Sequence, residues 1–169
     1  CEGVACNCNR FNELWNLVFT GYQMDRNGEV EELASQNIDT GMGLERVAAV
    51  LQGVDSDFEI DIFRPLISKL KDRIGLNSYT SDQTSYVHRI GDHLRGAAFL
   101  ISEGVIPANE GRGYVLRRII RRAVQAGDRL GMKETFLTSA LPEILDTMGD
   151  IYPELVERRD LIENVVDNE

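Results

Sequence analysis

Long apolar runs are missing from this chain of 169 residues: no stretch approaches the ~20 residues that a membrane span requires. Nor does the opening sequence set a basic segment before an apolar one, as a secretory leader would. Cysteine is scarce, with Cys1, Cys6 and Cys8 confined to the first eight positions. Three thiolates need a fourth ligand to hold zinc, and His88 and His93 lie far along the chain. Free thiols in a reducing compartment, and no metal site, are therefore expected. Internal repeats, low-complexity tracts and coiled-coil heptads are absent as well, which sets aside solenoids and fibrous architectures. What remains, with 43% hydrophobic and 27% charged residues, is the composition of an ordinary globular protein. A first residue of cysteine and an acidic, helix-compatible end suggest ends cut from a longer chain.

The net charge of −10 argues at first against a nucleic-acid partner. Its distribution reverses that. Between Glu110 and Leu130, six arginines (Arg112, Arg117, Arg118, Arg121, Arg122 and Arg129) face only Glu110 and Asp128, which leaves +4 there and −14 elsewhere. At a Debye length of ~8 Å, such a patch attracts phosphate at contact range whatever the global charge.

Periodicity divides the chain in two. Residues 11–24 read as an aromatic-rich strand, and Asp25-Arg-Asn-Gly28 as a hairpin turn. A short return strand follows from Val30 to Leu33, then a loop, then a third strand at Gln36-Asn-Ile-Asp39. A helix is expected from Gly43 to about Leu51, and a second from Asp57 to near Gly75, with Pro65 tolerated in its early turns. The polar stretch 76–84 marks the domain boundary, giving domains of 1–78 and 79–169. Beyond it the pattern is helical. Val87, Ile90, Leu94, Ala98 and Ile101 form one face, stopped by Gly104 and Pro107. Two or three helices, broken near Pro142 and Pro153, occupy 134–167. In the arginine-rich helix, with Val115 set at 0°, Leu116, Ile119, Ile120, Ala123 and Val124 fall between about 40° and 180°. Arg117, Arg118, Arg121 and Arg122 fall between about 200° and 340°, with no acid at i±4 to pair them. Such a face is either a solvated surface or a binding site for an anion.

The chemistry concentrates in Asn37-Ile-Asp-Thr-Gly-Met-Gly-Leu-Glu-Arg46: an aspartate at a strand end, two glycines, and an arginine one turn into a helix. It can present a carboxylate to an amine, bare backbone to a nucleotide and a guanidinium to phosphate. A glycine-x-glycine turn alone serves packing as readily. Taken with Glu13-Leu-Trp-Asn-Leu-Val-Phe19 before it and Asn109-Glu-Gly-Arg-Gly-Tyr-Val-Leu-Arg-Arg-Ile-Ile-Arg-Arg-Ala123 after it, the run closely resembles alanyl-tRNA synthetase, a class II aminoacyl-tRNA synthetase, from about Leu14 to about Leu130.

That resemblance implies an α+β fold: the C-terminal part of a class II antiparallel core, with Asp39-to-Arg46 as motif 3, followed by an all-helical tRNA-recognition domain. It implies ATP-dependent attachment of alanine to tRNA(Ala) through alanyl-adenylate, in a cytoplasmic or organellar setting and away from membranes. Asp39 would bind the alanine ammonium, with Asn16, Val18 and Gly41 around the same substrate. Arg46 and Gly43 would meet ATP, with Leu14, Trp15 and Asn16 lining that side; Trp15 alone reads as core. Mg2+ is expected to accompany ATP, and zinc only in a part of such a protein outside this chain. Asn109 would read the acceptor-stem wobble pair, although alone it reads as a helix-capping loop residue. Arg112, Arg117, Arg118, Arg121 and Arg122 would meet the RNA. Motifs 1 and 2 would lie N-terminal to this sequence, so the chain alone is expected to be inactive. Two rivals stay open: a non-catalytic RNA-binding or regulatory module of the same descent, and a domain whose arginine face binds an acidic protein.

Overall fold

A computed structural model describes Gly3, Cys6 and residues 11–169. Cys6 is half-buried; Cys1 and Cys8, and with them the three-cysteine question, lie outside the described residues. The fold is α+β, with two antiparallel strands followed by seven helices among the described residues. It divides into two compact units, Cys1–Ile60 and Asp61–Glu169. The polar stretch at 76–84 leads into a helix of the second unit.

In the first unit, β1 (Trp15–Met24) pairs antiparallel with β2 (Val30–Met42). The turn between them is held by Asp25, whose carboxylate accepts from the backbone N–H of Glu29 at 2.9 Å and of Asn27 at 2.8 Å. Those hydrogen bonds, the Glu29 amide foremost, lower the Asp25 pKa below the ordinary aspartate value. Gly28 takes φ +88°, a conformation glycine reaches without steric cost. Two return strands were expected where one is found. The reason is a register shift: Thr20 pairs with Asn37 but Tyr22 with Glu32, so four residues of β2 oppose Gly21 alone. The loop expected between Leu33 and Gln36 falls in this unpaired stretch, although the strand runs through it.

Helix α1 (Leu44–Gln52) begins after Gly43 and ends at Gly53, which takes φ +66° and donates back to the last turn. Residues Asp57–Glu59 form a separate 3-10 turn, capped by the Ser56 hydroxyl. The helix expected from Asp57 thus starts later, as α2 (Arg64–Ile74) in the second unit, with Pro65 in its first turn.

The second unit is built on α3 (Ser81–Ser102) packed along α4 (Gly111–Arg129). Ile90, Leu94 and Ile101 from α3 and Leu116 and Ile120 from α4 are at most 1% exposed. Val124, expected at the edge of that apolar face, is instead 46% exposed, because small Gly113, Ala123, Ala126 and Gly127 bring the helix in along a narrower stripe. Around this pair lie α2, α5 (Leu141–Met148), α6 (Pro153–Glu157) and α7 (Arg159–Asn168). The breaks fall near Pro142 and Pro153 as expected, each proline standing in the first turn of the helix that follows, where a missing N–H is harmless.

The start of α3 carries a capping box: the Thr80 hydroxyl accepts from Gln83 N, and the Gln83 side chain accepts from Thr80 N. Thr80→Ala is expected to lower stability by about 1 kcal/mol, read as a denaturant midpoint shifted at constant m-value.

Candidate functional site

Strand pleat decides which residues of the first unit meet. Antiparallel partners share a face, and neighbours along a strand do not. Asn16 stands opposite Gly41 and Val18 opposite Asp39, so these four lie on one face of the hairpin. Trp15 stands opposite Met42 and falls on the other face, where it is 57% exposed. It is thus neither core nor beside Asn16 and Asp39. Leu14 precedes β1, and its carbonyl accepts from Gly43 N at 2.9 Å, tying the start of α1 to the start of the strand.

Arg46 folds back over this junction. Its Nη1 donates to the Glu13 carbonyl at 2.8 Å, and its stem crosses Gly43, where an added Cβ would come within 3.1 Å of Arg46 Cδ. Gly43 has an ordinary extended conformation (φ −74°), so glycine serves there for closeness rather than for backbone freedom. Asn16 Nδ2 donates to Glu13 Oε1 at 3.3 Å. Glu13 therefore holds both an alanine-side and a nucleotide-side candidate, through its side chain and its backbone. The sequence reading assigned it no role, though it opens one of the quoted motifs. A Cβ on Gly41 would sit 3.4 Å from Asn16 Oδ1, ordinary contact; the bare glycine keeps that part of the face open.

In the second unit the arginines separate into two groups. Arg117 and Arg121, one turn apart, both donate through Nε to Glu169, at 3.0 and 2.7 Å. The Glu169 side chain is only 7% exposed. Burial alone would raise its pKa, but the hydrogen bonds from Arg121 and Arg117 outweigh burial and hold it below the ordinary glutamate value. Arg117 Nη1 also donates to Asn109 Oδ1. Glu169 lies 52 and 48 residues from its partners, so no local spacing could reveal it. Arg118 lies over the Tyr114 ring, 5.8 Å from its centre. With Arg121, Arg122 and Gln125 it lines an open depression of about 320 Å³. Arg112 is exposed in the first turn of α4, and Asn109 is exposed just before the N-cap residue Glu110. The cap is therefore Glu110, leaving Asn109 outside that role.

Gly113 packs against the segment that leads to Asn109. A Cβ there would run into the Ile106 carbonyl oxygen and the Ala108 backbone and side chain, so the 106–109 segment crosses α4 at a point only glycine permits.

The first unit thus carries Asn16 and Asp39 on one hairpin face and Arg46 over the start of α1. Residues 2–169 match the family of class II (A) tRNA synthetases. The chain belongs to that family. It is 46% identical over 166 residues to the alanine–tRNA ligase of Thermoanaerobacter sp. (strain X514), covering 97% of this chain and 19% of that protein. It is 48% identical over 173 residues to the alanine–tRNA ligase of Thermotoga maritima, covering 99% and 20%, and 48% identical over 162 residues to that of Petrotoga mobilis, covering 95% and 18%. The chain thus spans about a fifth of the length of these relatives. Within this class II synthetase region, no group of three or more His, Cys, Asp or Glu among the described residues could hold a metal ion. No described helix is long and apolar enough to cross a membrane.

Proposed function

We propose that this chain supplies part of the alanine and ATP site, and part of the tRNA acceptor-stem site, of an alanine–tRNA ligase. In this reading residues 1–78 belong to the aminoacylation core and residues 79–169 to tRNA recognition. One observation carries the first half: Asn16, Val18, Asp39 and Gly41 share a single hairpin face. Asp39 receives the alanine ammonium in a charge-assisted hydrogen bond. Asn16, its Nδ2 engaged by Glu13, turns Oδ1 to the same group. Val18 crowds side chains larger than a methyl, while rejection of smaller ones is weak because a methylene is worth only ~1–3 kcal/mol. Arg46, anchored by one Nη, presents the rest of its fork to ATP phosphate beside Gly43, with Leu14 at the same junction. Trp15 could reach nucleotide only from the opposite face of the strand. The reaction requires placement and charge stabilisation above all, because the alanine carboxylate is already a nucleophile and the α-phosphate an electrophile. Mg2+ would arrive with the nucleotide; the described residues offer it no cluster of their own.

The second half rests on the depression lined by Arg118, Arg121 and Arg122, which fits RNA phosphate, with Arg112 and Asn109 at the head of the same helix. The arginine that grips the α-phosphate in motif 2 belongs, in this reading, to sequence outside the chain. Alanine-dependent pyrophosphate exchange tests the reading. We expect none from the 169-residue chain alone, and full exchange from a full-length ligase carrying it. Robust exchange by the isolated chain would overturn the division of the site proposed here.

A further inference from the structure

We propose that Arg117 and Glu169 are positioning residues, which fix the Asn109 amide so that it offers RNA only hydrogen-bond donors. This rests on the reading of Asn109 as a base-contacting residue and adds what that residue can read and what orients it. Arg117 is the least RNA-like of the four arginines on its face: its side chain is 28% exposed, against 65% for Arg121. Its Nε is spent on Glu169 and its Nη1 on Asn109 Oδ1. A guanidinium has donors and no acceptor, so the asparagine atom facing it must be the oxygen; the opposite rotamer would set N–H against N–H. Asn109 therefore turns Nδ2 outward, with two N–H groups for a base edge. Without this partner an exposed asparagine would rotate freely and could donate or accept equally well.

Glu169 completes the relay. Its carboxylate is nearly buried and takes both Nε groups, which pins the Arg117 guanidinium plane and hence the direction of Nη1. Arg121 holds the carboxylate from the other side while the rest of its fork remains exposed. The four arginines thus divide by role. Arg117 looks inward to orient a reading residue, while Arg118, Arg121 and Arg122 look outward to phosphate. Asn109 would then recognise an acceptor on the groove edge of the wobble pair and disfavour a donor there.

The test uses a full-length alanine–tRNA ligase carrying this chain. Affinity is measured across salt for tRNA(Ala) with its wobble pair and with a Watson–Crick pair in its place. Asn109→Ala and Arg117→Ala should each reduce discrimination about tenfold. The double variant should be no worse than either alone, since the two act as one unit. Arg117→Ala should leave the slope of log affinity against log salt unchanged, whereas Arg118→Ala or Arg122→Ala should flatten it by about 0.7–0.9. Arg117→Lys keeps the charge but cannot reach Glu169 and Asn109 in the same fork geometry, so it should behave like Arg117→Ala even if the alanine variant fails to fold. The cost of Asn109→Ala should vanish on an acceptor stem whose contacted base edge lacks its acceptor. A flattened slope with intact discrimination in Arg117→Ala and Arg117→Lys would make Arg117 a phosphate contact and overturn the relay. Intact discrimination in Asn109→Ala would instead overturn the base-contact reading on which the relay rests.

Discussion

Asp39→Asn, introduced into a full-length alanine–tRNA ligase carrying this chain, is expected to raise the alanine requirement by roughly 30-fold to several thousand-fold, with little change in the requirement for ATP. The substitution keeps the shape of the side chain and removes its charge. A lost charged hydrogen bond is worth roughly 2–5 kcal/mol once bound substrate excludes water from it, and each 1.4 kcal/mol is tenfold. The size rests on where Asp39 sits: opposite Val18, on the same face as Asn16, with no other carboxylate in that set. Arg46→Ala should do the reverse, raising the ATP requirement and sparing alanine, since its guanidinium is tied to the Glu13 backbone at the start of α1. Pyrophosphate exchange at varied alanine and varied ATP separates the two. Equal effects of both changes on both substrates would mean that the hairpin face and the helix start do not serve different substrates.

The second large effect belongs to Gly113→Ala. The added methyl meets backbone at Ile106 and Ala108, which cannot swing aside as a side-chain tip can. Overpacking of this kind costs about 1–3 kcal/mol, and here relief requires moving the 106–109 segment or lifting α4 from it. A lower denaturant midpoint should therefore come with weaker discrimination at the acceptor stem, because the segment that moves carries Asn109. Gly96→Ala supplies the contrast. That glycine lies inside α3 with nothing within 4 Å of its missing Cβ, so alanine there should raise stability by up to about 1 kcal/mol through helix propensity. If both variants shifted the midpoint alike, the crossing at Gly113 would not be the constraint described.

Much of this was legible beforehand, and the misses share a cause. Helices α1, α3 and α4 follow from apolar spacing and from glycine or threonine at their ends, signals that live within one or two turns. The single long return strand was not legible, because its residues 33–36 do not pair in register and so lack the alternation that marks a strand. The start of α2 was misjudged because Asp57-Phe-Glu59 is itself a 3-10 turn, whose spacing resembles the first turn of a helix. Among the candidate site residues, Asn16, Val18, Gly41 and Asp39 come together as strand alternation requires, and the same alternation separates Trp15 from them. The arginine face was visible, but its division was not. That depends on Glu169, which reaches α4 only once α7 has packed. Tertiary partners some fifty residues away leave no trace in a helical wheel.

The irregular stretch of β2 bears on how such a chain tolerates change over evolutionary time. In a regular hairpin, inserting or deleting one residue would turn every later side chain to the opposite face and scatter the four residues around Asp39. Here the ladder from Trp15 to Thr20 and the ladder from Tyr22 to Met24 are separately in register, joined by four residues against one. A length change within residues 33–36 is absorbed where no pairing has to be kept. The turn at residues 25–29 can likewise drift in sequence and length while the face that carries Asn16 and Asp39 keeps its phase.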